Sequence, residues 1–491
     1  MRFNRLTPDD LRLTRFLLIA EGCQLNVKRV TLMKVLLINP SIYDFAAYGF
    51  WSSPLGLLYV GSILRKNGAD LHFIDCMRAV EAKRKADGRA PFVKERVPKP
   101  DALKGIRRHY RRYGISRETL VGELARMDKP DLVLITSIMT YWYPGTKEAV
   151  GAAREVFPGS KIVVGGIYPS LCEEEAGRQL RSADLIVKHN EMERFYGFVE
   201  DALSTTLAFR PSIYDLDVLP YPCYDLCDDI PFVPLLTSFG CIYRCTYCAT
   251  PYMHPSIVRR SHHSVMEEIQ YWHGHGVKRF AIYDDNFLYE KERYVKPLLK
   301  GIAKLPFRID IYNPNAVNAA LIDEELAELF CASGFQELRI GLETIDPDTQ
   351  RSTGGKVSTK VFEKALTVLR GAGFDMEKVS VYILAGLPFQ RWEAVKDAID
   401  YLFSLGVRPY IAEYTPIPHT EMFEKYHHNA RYPVMQDALY QNNALLPFAW
   451  EGFTEKDLYY LKGYLQKRPY SQFTTSLSSP SPPGEPSRPY E

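Results

Sequence analysis

Short apolar runs alternate with helix-like segments in two long series along this 491-residue chain. The first series lies between residues 33 and 205 and contains the runs KVLLIN, LHFID, DLVLITSIM, KIVVGG and ADLIVKH. Short apolar runs separated by amphipathic segments are typical of parallel strands joined by crossover helices. The sequence therefore predicts an α/β fold that begins with a doubly wound parallel sheet, whose ligands bind beyond the carboxyl ends of the strands.

The second series covers residues 231–426 and contains the runs VPLLTSF, KRFAIYDD, FRIDIYN, ELRIGLE, VSVYILAG and PYIAEYTP. Six such units suit a partial (βα)6 barrel of the TIM type, in which functional residues lie at the carboxyl ends of the strands. Residues 206–230 are rich in Pro, Asp and Tyr and predict a linker between the two units.

The two ends of the chain differ from these units. Residues 1–32 are polar and aperiodic, and we expect a poorly ordered extension there. Residues 427–472 are aromatic-rich and predict a helical C-terminal segment, whereas residues 473–491 contain the Ser- and Pro-rich composition of a disordered tail. This organisation fits a length that favours two to three domains.

Composition narrows the functional classes. A formal net charge of +2 gives no general field for nucleic acid or an anionic membrane. The basic stretch from Arg78 to Arg112 predicts a solvated insertion or helical flap, with a nucleic-acid patch as the less favoured alternative. The apolar run Phe16 to Ala20 is too short for a signal peptide or a membrane span. Nine cysteines without a disulfide framework favour a reducing cytoplasm.

Three cysteines fall within the string SFGCIYRCTYCAT, as Cys241, Cys245 and Cys248. The C-x3-C-x2-C spacing places three thiolates on one short loop, which suits a [4Fe–4S] cluster with one iron that has no protein ligand. A structural zinc site would need four ligands and usually a second C-x2-C pair, which this chain lacks. An iron without a protein ligand predicts a catalytic role in addition to a structural one, because a substrate or cofactor can bind there.

This motif, with Tyr247 just before the third cysteine, resembles the signature of the radical S-adenosylmethionine (SAM) superfamily, and the resemblance covers residues 231–426. In that family the open iron chelates the amino and carboxylate groups of SAM. One electron from the cluster then cleaves SAM to a 5′-deoxyadenosyl radical. The resemblance also implies an electron donor such as flavodoxin or ferredoxin.

The resemblance extends to further strand ends. It implies that residues after the second strand accept hydrogen bonds from the amino group of SAM, although a turn that only caps the next helix is the alternative. It also implies that a glutamate after the fourth strand contacts the ribose or the methionine moiety, and that Tyr247 and a Gly-Leu-Pro segment lie against adenine. The residues after the second strand are Asp284, Asp285 and Asn286, and the glutamate after the fourth strand is Glu343. The Gly-Leu-Pro segment contains Gly386 and Pro388.

Two positions depart from the family pattern. Phe389 replaces a frequent glycine after Pro388. His419 replaces the glycine of a Pro-x-Pro-Gly-Thr segment, and we expect an ordinary loop histidine there, with a proton donor near the substrate as the alternative.

Residues 33–205 resemble the cobalamin-binding domain that precedes the barrel in one large radical-SAM subfamily. The matching residues are Ser137 after the third strand and Gly165 and Gly166 after the fourth, which in that family line the slot for the nucleotide tail. Tyr168 stands where many members have histidine, and the segment SIYDFAAYGFWSSP contains no histidine to bind cobalt from below. The resemblance implies base-off cobalamin, with a domain that no longer binds corrin as the alternative.

The resulting hypothesis is a cobalamin-dependent radical-SAM enzyme that transfers a methyl group to an unactivated carbon of a small-molecule substrate. Cyclisation or rearrangement with the same cofactors, and a barrel with a vestigial N-terminal domain, remain open. A non-enzymatic Fe–S or corrin sensor or carrier is the alternative from another class.

The remaining cysteines argue against further clusters. A tRNA methylthiolase would need three more cluster cysteines in residues 33–205, which contain only Cys76 and Cys172. Cys223 and Cys227 form a second C-x3-C pair, but two ligands are too few for a second cluster. We expect Cys76 and Cys331 to lie in the core.

Overall fold

The structure is a computed structural model that describes residues 33–49, 51–448 and 451–467. The predicted extension at residues 1–32 and the predicted tail at residues 473–491 lie outside the described residues. None of the described helices is long and apolar enough to cross a lipid bilayer.

The N-terminal half is built on a five-stranded parallel sheet of order β3-β1-β6-β7-β8. Alternate residues of β1 enter different cores, Val35 and Leu37 on one face and Leu36 and Ile38 on the other, which explains the continuous apolar run. The elements in chain order are β1 (Lys34–Asn39), β2 (Ile42–Asp44), α1 (Leu55–Lys66), β3 (Asp70–Asp75), β4 (Lys94–Arg96), β5 (Arg111–Tyr113), α2 (Arg117–Leu124), β6 (Leu132–Ser137), α3 (Tyr143–Val156), β7 (Lys161–Gly166), α4 (Ile167–Leu171), α5 (Glu173–Gln179), β8 (Leu185–Ile186) and α6 (Met192–Leu203).

The basic stretch does not form the predicted helical flap. Its middle forms β4 and its C-terminal end begins β5; these two strands pair antiparallel with each other, and β5 also pairs with β2. The partner residues of β2 and β5 are about 70 positions apart in sequence, as Ile42 and Tyr113 show, so local composition could not reveal this pairing. Of the two predicted alternatives, the helical flap was wrong because non-local strand pairing determines the structure of this segment, which is an insertion between β3 and α2.

The second half contains two parallel sheets, of order β9-β12-β13 and β14-β15-β16-β17, which follow the sequence in the manner of a partial barrel. This arrangement confirms the predicted fold class. The elements are β9 (Val233–Leu235), β10 (Ser238–Phe239), α7 (Thr250–Met253), β11 (Val258–Arg259), α8 (His262–Gly274), β12 (Arg279–Ile282), α9 (Lys296–Ala303), β13 (Asp310–Tyr312), β14 (Val317–Asn318), α10 (Glu324–Ser333), β15 (Leu338–Glu343), α11 (Pro347–Ser352), α12 (Thr359–Gly371), β16 (Val379–Ala385), α13 (Trp392–Ser404), β17 (Arg408–Glu413), α14 (Glu421–Tyr426) and α15 (Glu455–Gln466).

The C-terminal segment is less helical than predicted. Between residues 427 and 448 it contains only short 3₁₀ turns, and α15 is the one α-helix in the described part of residues 427–472. Pro433 and Pro447 limit helix formation there. The segment packs instead on the N-terminal half, where Ala438 and Leu445 join the core of that half.

The segment predicted as a linker is packed rather than free. Cys223 is buried and its thiol donates a hydrogen bond to the Leu58 carbonyl at 3.1 Å. Cys227 is half-buried beside the same core. Cys76 is buried as expected, but Cys331 is exposed, so its assignment to the core was wrong; it lies on the outer side of α10.

Candidate functional site

The three motif cysteines lie on a loop closed at its base by an antiparallel pair of short strands. Ser238 of β10 pairs with Arg259 of β11, and Cys241, Cys245 and Cys248 lie in the segment between them. All three are half-buried, and burial raises the pKa of the Cys241 and Cys245 thiols. Backbone N–H groups two residues further along point at two of the sulfurs, from Tyr243 to Cys241 Sγ at 3.4 Å and from Thr250 to Cys248 Sγ at 3.5 Å.

Two distant segments hold this loop in place. Thr246 N donates to the Thr353 carbonyl at 3.3 Å, and Met422 N donates to the Thr246 carbonyl at 2.8 Å. Gly354 has a φ of +127°, and a Cβ there would lie 3.0 Å from the Cα of Cys245. The chain between α11 and α12 can therefore approach the cysteine loop only with glycine at this position.

The acidic residues after β12 differ in their surroundings. Asp284 is 2% exposed, and its carboxylate accepts hydrogen bonds from Thr237 N at 2.7 Å, Thr237 Oγ1 at 2.5 Å and Ser238 Oγ at 2.7 Å. Asp285 accepts from Gly240 N at 2.8 Å, immediately before Cys241. The hydrogen bonds of Asp284 therefore connect the end of β12 to the residues that follow β9. Asp285 instead contacts the start of the cysteine loop.

Asn286 is also buried, and its Nδ2 has no hydrogen-bond partner in the described structure. Because buried polar atoms are nearly always satisfied, an unpartnered amide marks a place where a ligand atom can bind. This orphaned donor fits a bound polar group beside the cysteine loop. It is a donor, however, whereas the sequence predicted acceptors for an amino group; rotation of the amide would present Oδ1 instead.

Glu343 ends β15 with a φ of +68°, next to a register irregularity that begins at Gly341. Its Oε1 lies 3.6 Å from Nζ of Lys356. Burial alone would lower the pKa of Lys356, but the charges of Glu343 and the three motif cysteines raise it overall. Lys356 is thus a cation at the cysteine loop that sequence reasoning missed; the Gly-Gly-Lys string at 354–356 was the available signal.

Tyr247 and the Gly-Leu-Pro segment come together in one small apolar cluster. Tyr247 packs with Leu387 and its neighbours, and burial raises its pKa, with the nearby Glu343 charge adding to the effect. Gly386 has a φ of +89° and donates its N–H to Oε1 of Gln390 at 2.8 Å, so the segment that contains Pro388 has a fixed backbone. Tyr247 and Leu387 of the segment expected to contact adenine therefore belong to one apolar cluster.

The two positions that departed from the family pattern are accommodated by aromatic contacts. Phe389 has a φ of +61° and packs edge-to-face on Tyr426 at 5.6 Å. His419, with a φ of +65°, stacks on Tyr252 with 4.0 Å between the ring centroids. Both residues take the left-handed backbone that a glycine would adopt, so the chain path of the loop does not depend on glycine.

The predicted tail site in the N-terminal half is formed by adjacent strand ends, because β6 and β7 pair Ser137 with Gly166. Ser137 is buried and its Oγ has no partner in the described structure. Gly166 has a φ of +116°, and a Cβ there would lie 2.2 Å from the Ser137 carbonyl oxygen. At Gly165 an added Cβ would meet Val187 Cγ2 only at 3.4 Å. Glycine is therefore required by the backbone at 166 but not at 165.

The Gly166 turn is connected to the barrel through side chains. Ser170 Oγ donates to the Gly166 carbonyl at 2.8 Å and accepts from His189 N at 2.9 Å. The His189 ring in turn bonds the carbonyl of Met253, which lies in α7 just after the cysteine loop. Tyr168 is not part of this connection, because it is buried and stacks on Tyr143 at 5.3 Å.

A cavity of about 1190 Å³, here called the domain cavity, separates the two halves. Its walls are the loops 44–53 and 138–142 of the N-terminal half, β17 of the barrel, and parts of the C-terminal segment. The loop after Ser137 supplies Met139, and the barrel supplies Asn315, whose Nδ2 donates to the Asp284 carbonyl at 3.1 Å. The cavity exceeds the roughly 300–1,000 Å³ typical of small-ligand sites and can accept a larger molecule.

The wall of the domain cavity is rigid near Asp44. Its carboxylate accepts from Trp142 Nε1 at 2.6 Å and from Asn442 Nδ2 at 2.9 Å. Burial raises the pKa of Asp44, and these hydrogen bonds oppose that shift. Asn442 therefore links the C-terminal segment to the cavity wall, which Asn443 and Ala444 of the same segment line directly.

Comparison with known families agrees with this geometry. Residues 235–407 match the radical SAM superfamily, and residues 102–195 match the B12 binding domain. The chain is a radical SAM protein with an N-terminal B12-binding domain. Membership brings a [4Fe–4S] cluster, SAM and cobalamin as cofactors. The half-buried thiols and the orphaned buried atoms Asn286 Nδ2 and Ser137 Oγ fit these groups.

Two curated relatives of this radical SAM protein are named methyltransferases. An uncharacterized methyltransferase of Pyrococcus horikoshii is 23% identical over 87% of each chain. The bacteriochlorophyllide d C-12(1)-methyltransferase of Chlorobaculum tepidum is 25% identical, over 54% of this chain and 60% of the relative.

Solved structures show the same fold. TsrM, a radical S-adenosylmethionine methyltransferase from Kitasatospora setae solved with cobalamin and a [4Fe–4S] cluster, matches with a TM-score of 0.59 and 17% identity, over 81% of this chain and 78% of TsrM. The cobalamin-dependent radical enzyme OxsB, solved with aqua-cobalamin and SAM, matches with a TM-score of 0.54 and 14% identity, over 90% of this chain and 58% of OxsB.

Proposed function

We propose that this protein is a cobalamin-dependent methyltransferase that methylates an unactivated carbon of a small-molecule substrate. The observation that carries the proposal is the domain cavity, which is lined by Met139, just after Ser137, and by Asn315, which donates a hydrogen bond to the Asp284 carbonyl. A carbon that is to be activated at one cofactor and methylated at another must lie between the two. When bound, the cluster and SAM supply a hydrogen-abstracting radical, and the corrin supplies the methyl group.

In this proposal Cys241, Cys245 and Cys248 hold the cluster. The loop that bears them is fastened at its base by the β10–β11 pair and at its tip by Thr353 and Met422. Such a loop presents three thiolates in a fixed arrangement, which is what a cluster with one site-differentiated iron requires.

The amino and carboxylate groups of SAM would lie between an acidic and a basic side chain. Asp285 and Asn286 border the cysteine loop on one side, and the Glu343–Lys356 pair borders it on another. Asp285 and Glu343 suit a bound ammonium, and Lys356 suits a bound carboxylate. Asp284 supports this site indirectly, since its oxygens are engaged by Thr237 and Ser238.

Adenine would pack on Tyr247 and along Gly386 and Pro388. The backbone at Gly386 is fixed, because its N–H is taken by Gln390 and a Cβ there would lie 2.8 Å from Cδ2 of Leu446. A planar base needs a fixed surface, and Tyr247 supplies an aromatic face in the apolar cluster that contains Leu387.

Cobalamin would place its nucleotide tail along Ser137, Gly165 and Gly166 and its corrin in the domain cavity. Ser137 Oγ is a buried hydroxyl without a partner, which suits a polar atom of the tail. No histidine lies on the loop 41–54, so we propose base-off binding without a histidine from that loop on cobalt.

The test is anaerobic turnover of protein reconstituted with iron, sulfide and hydroxocobalamin and reduced with dithionite. We expect 5′-deoxyadenosine from SAM, together with S-adenosylhomocysteine when the corrin is methylated. A cyclase or rearrangement enzyme would give 5′-deoxyadenosine without S-adenosylhomocysteine. Formation of neither product would refute the proposal, and protein without added iron and sulfide is the control.

A further inference from the structure

A second concave surface adjoins the domain cavity, and the proposed function does not use it. It consists of two cavities of about 440 and 630 Å³ that share Phe45, Arg108 and Arg111, and together they are here called the basic groove. Its walls come from the basic stretch of the sequence, from α15 and from the loop after β2. The lysines and arginines that line it are Lys83, Lys85, Arg89, Lys94, Arg96, Lys99, Arg107, Arg108 and Arg111, and His109 also lines it.

Most cations of the basic groove have no carboxylate partner. No carboxylate of the described residues lines the groove. Arg89 pairs with Asp87, but the other lysines and arginines on these walls form no ion pair with any described residue. Nearby arginines that point elsewhere are paired, as Arg112 is with Glu95 and Glu148. With the exception of Arg89, the lysines and arginines of the groove therefore have no carboxylate partner among the described residues.

Aromatic rings hold part of this charge in place. Arg108 lies over the ring of Phe45 at 5.2 Å and over that of Tyr459 at 5.8 Å, and its Nη1 donates to the Ala444 carbonyl. Tyr48 and Tyr113 also line the groove. A cation held against apolar rings keeps its charge available at a fixed point and binds an anion without first having to be ordered.

The basic groove lies beside the domain cavity. The two spaces share Ala46, Ala47, Tyr48 and Arg108 as wall residues, so a substrate with its reacting carbon in the cavity has these cations close by. The groove volumes lie in the roughly 300–1,000 Å³ range of small-ligand sites. With a formal net charge of only +2, the chain does not present the extended positive face that nucleic acid favours.

We propose that the basic groove binds a phosphoryl or pyrophosphoryl group of the substrate, whose reacting carbon lies in the domain cavity. The substrate class is therefore a phosphorylated or diphosphate-linked small molecule. This inference rests on the proposed function for the placement of the reacting carbon, but the binding of the anion can be measured independently. Guanidinium groups match phosphate oxygens in geometry as well as in charge.

The test is titration of the reconstituted protein with inorganic pyrophosphate by isothermal calorimetry. The variant replaces three exposed cations of the groove (Lys94→Gln, Arg96→Gln, Arg107→Gln). A control with the same change in charge replaces three exposed lysines elsewhere (Lys278→Gln, Lys360→Gln, Lys364→Gln). We expect the groove variant to lose at least about tenfold in pyrophosphate affinity, and the control to stay within about twofold of the parent.

Three further results would overturn the inference. Equal losses in the variant and the control would show only a general charge effect, and sulfate binding as tight as pyrophosphate would show only a weak anion site. Binding of single-stranded oligonucleotides that tightens with their length and fails in the groove variant would show a nucleic-acid surface instead.

SAM cleavage without substrate separates this inference from the proposed function. We expect the groove variant to form 5′-deoxyadenosine at the rate of the parent, because its changes lie outside the cysteine loop. If the parent binds pyrophosphate but forms no 5′-deoxyadenosine, the proposed function fails and the anion site stands. If the parent cleaves SAM but binds no pyrophosphate, only the anion site fails.

Discussion

The cysteine loop of the barrel and the Gly166 turn of the B12-binding domain are both strand-end sites, but different physical properties define them. The cysteine loop is defined by side-chain chemistry, since three thiols, Asp285 and Lys356 converge there. The Gly166 turn is defined by backbone conformation, since a positive φ and contact with Ser137 leave no room for a Cβ. Substitutions at the cysteine loop should therefore abolish SAM cleavage, whereas substitutions at the Gly166 turn should lower the free energy of unfolding.

The largest effect is expected at the cysteines. Replacement of Cys241, Cys245 or Cys248 by Ala should abolish the brown absorbance of the cluster and all SAM cleavage, because a cluster held by two thiolates is labile. Iron and sulfide content and 5′-deoxyadenosine formation measure this. Cys331→Ala, at an exposed cysteine, is the matched control. A variant that keeps its full iron and sulfide content would show that the replaced cysteine is not a ligand.

Gly166→Ala should have the next largest effect. The added Cβ would lie 2.2 Å from the Ser137 carbonyl oxygen, on a backbone with φ of +116°. We expect a loss of about 3 kcal/mol in the free energy of unfolding and a loss of hydroxocobalamin binding. Urea unfolding and visible spectra measure the two. Retention of cluster content in the folded fraction would show that the damage stays within the B12-binding domain.

The sequence predicted a site defined by side-chain chemistry better than a site defined by backbone conformation. Cysteine spacing identified the loop because thiolate chemistry is carried by residue type. Lys356 was missed because it approaches the thiols only when the α11–α12 connection folds back onto the loop after β9. Gly165 and Gly166 looked alike because identical residues do not disclose which one takes a positive φ.

Prediction of the fold is also limited to what consecutive residues can indicate. Apolar periodicity predicted the parallel sheets, since each strand carries its own signal in consecutive residues. The pairing of β2 with β5, and the docking of residues 438–445 on the N-terminal half, depend on contacts between segments far apart in sequence. Local patterns do not contain such contacts. Residues 427–472 were accordingly predicted as helical, and the stretch that contains β5 as a solvated insertion or helical flap.

Lys356→Met tests whether a cation at the cysteine loop serves the ligand or the loop. If Lys356 binds the SAM carboxylate, the dissociation constant for SAM should rise about tenfold, which corresponds to about 1.4 kcal/mol, with cluster content unchanged. Equilibrium dialysis with the reconstituted protein measures it, and Lys360→Met, at an exposed lysine in the first turn of α12, is the control. Loss of iron in the Lys356 variant would instead assign the lysine to the stability of the loop.

The docked C-terminal segment should make the N-terminal half sensitive to pH. Glu175 accepts from Ala438 N at 3.1 Å, and burial raises its pKa from 4.5 to about 7. Because the folded-state pKa lies above the unfolded value, the folded state favours protonated Glu175. The contribution of this protonation to the free energy of unfolding is complete below about pH 4.5 and is lost as pH rises through 7. The Tm should therefore fall more steeply from about pH 5 to 8 in the parent than in Glu175→Gln. Parallel curves would exclude Glu175 as the titrating group.

The smallest effect is expected at Gly165, and it decides whether the two glycines of the turn have separate roles. A methyl group there would meet Val187 at an ordinary contact distance of 3.4 Å, so Gly165→Ala should change the free energy of unfolding by less than about 0.5 kcal/mol. If the nucleotide tail passes Gly165, the same methyl group should weaken hydroxocobalamin binding about threefold, or about 0.7 kcal/mol. Gly165→Val should weaken it further without altering cluster content. Unchanged binding in both variants would place the tail elsewhere, and destabilisation equal to that of Gly166→Ala would show that the backbone requires both glycines.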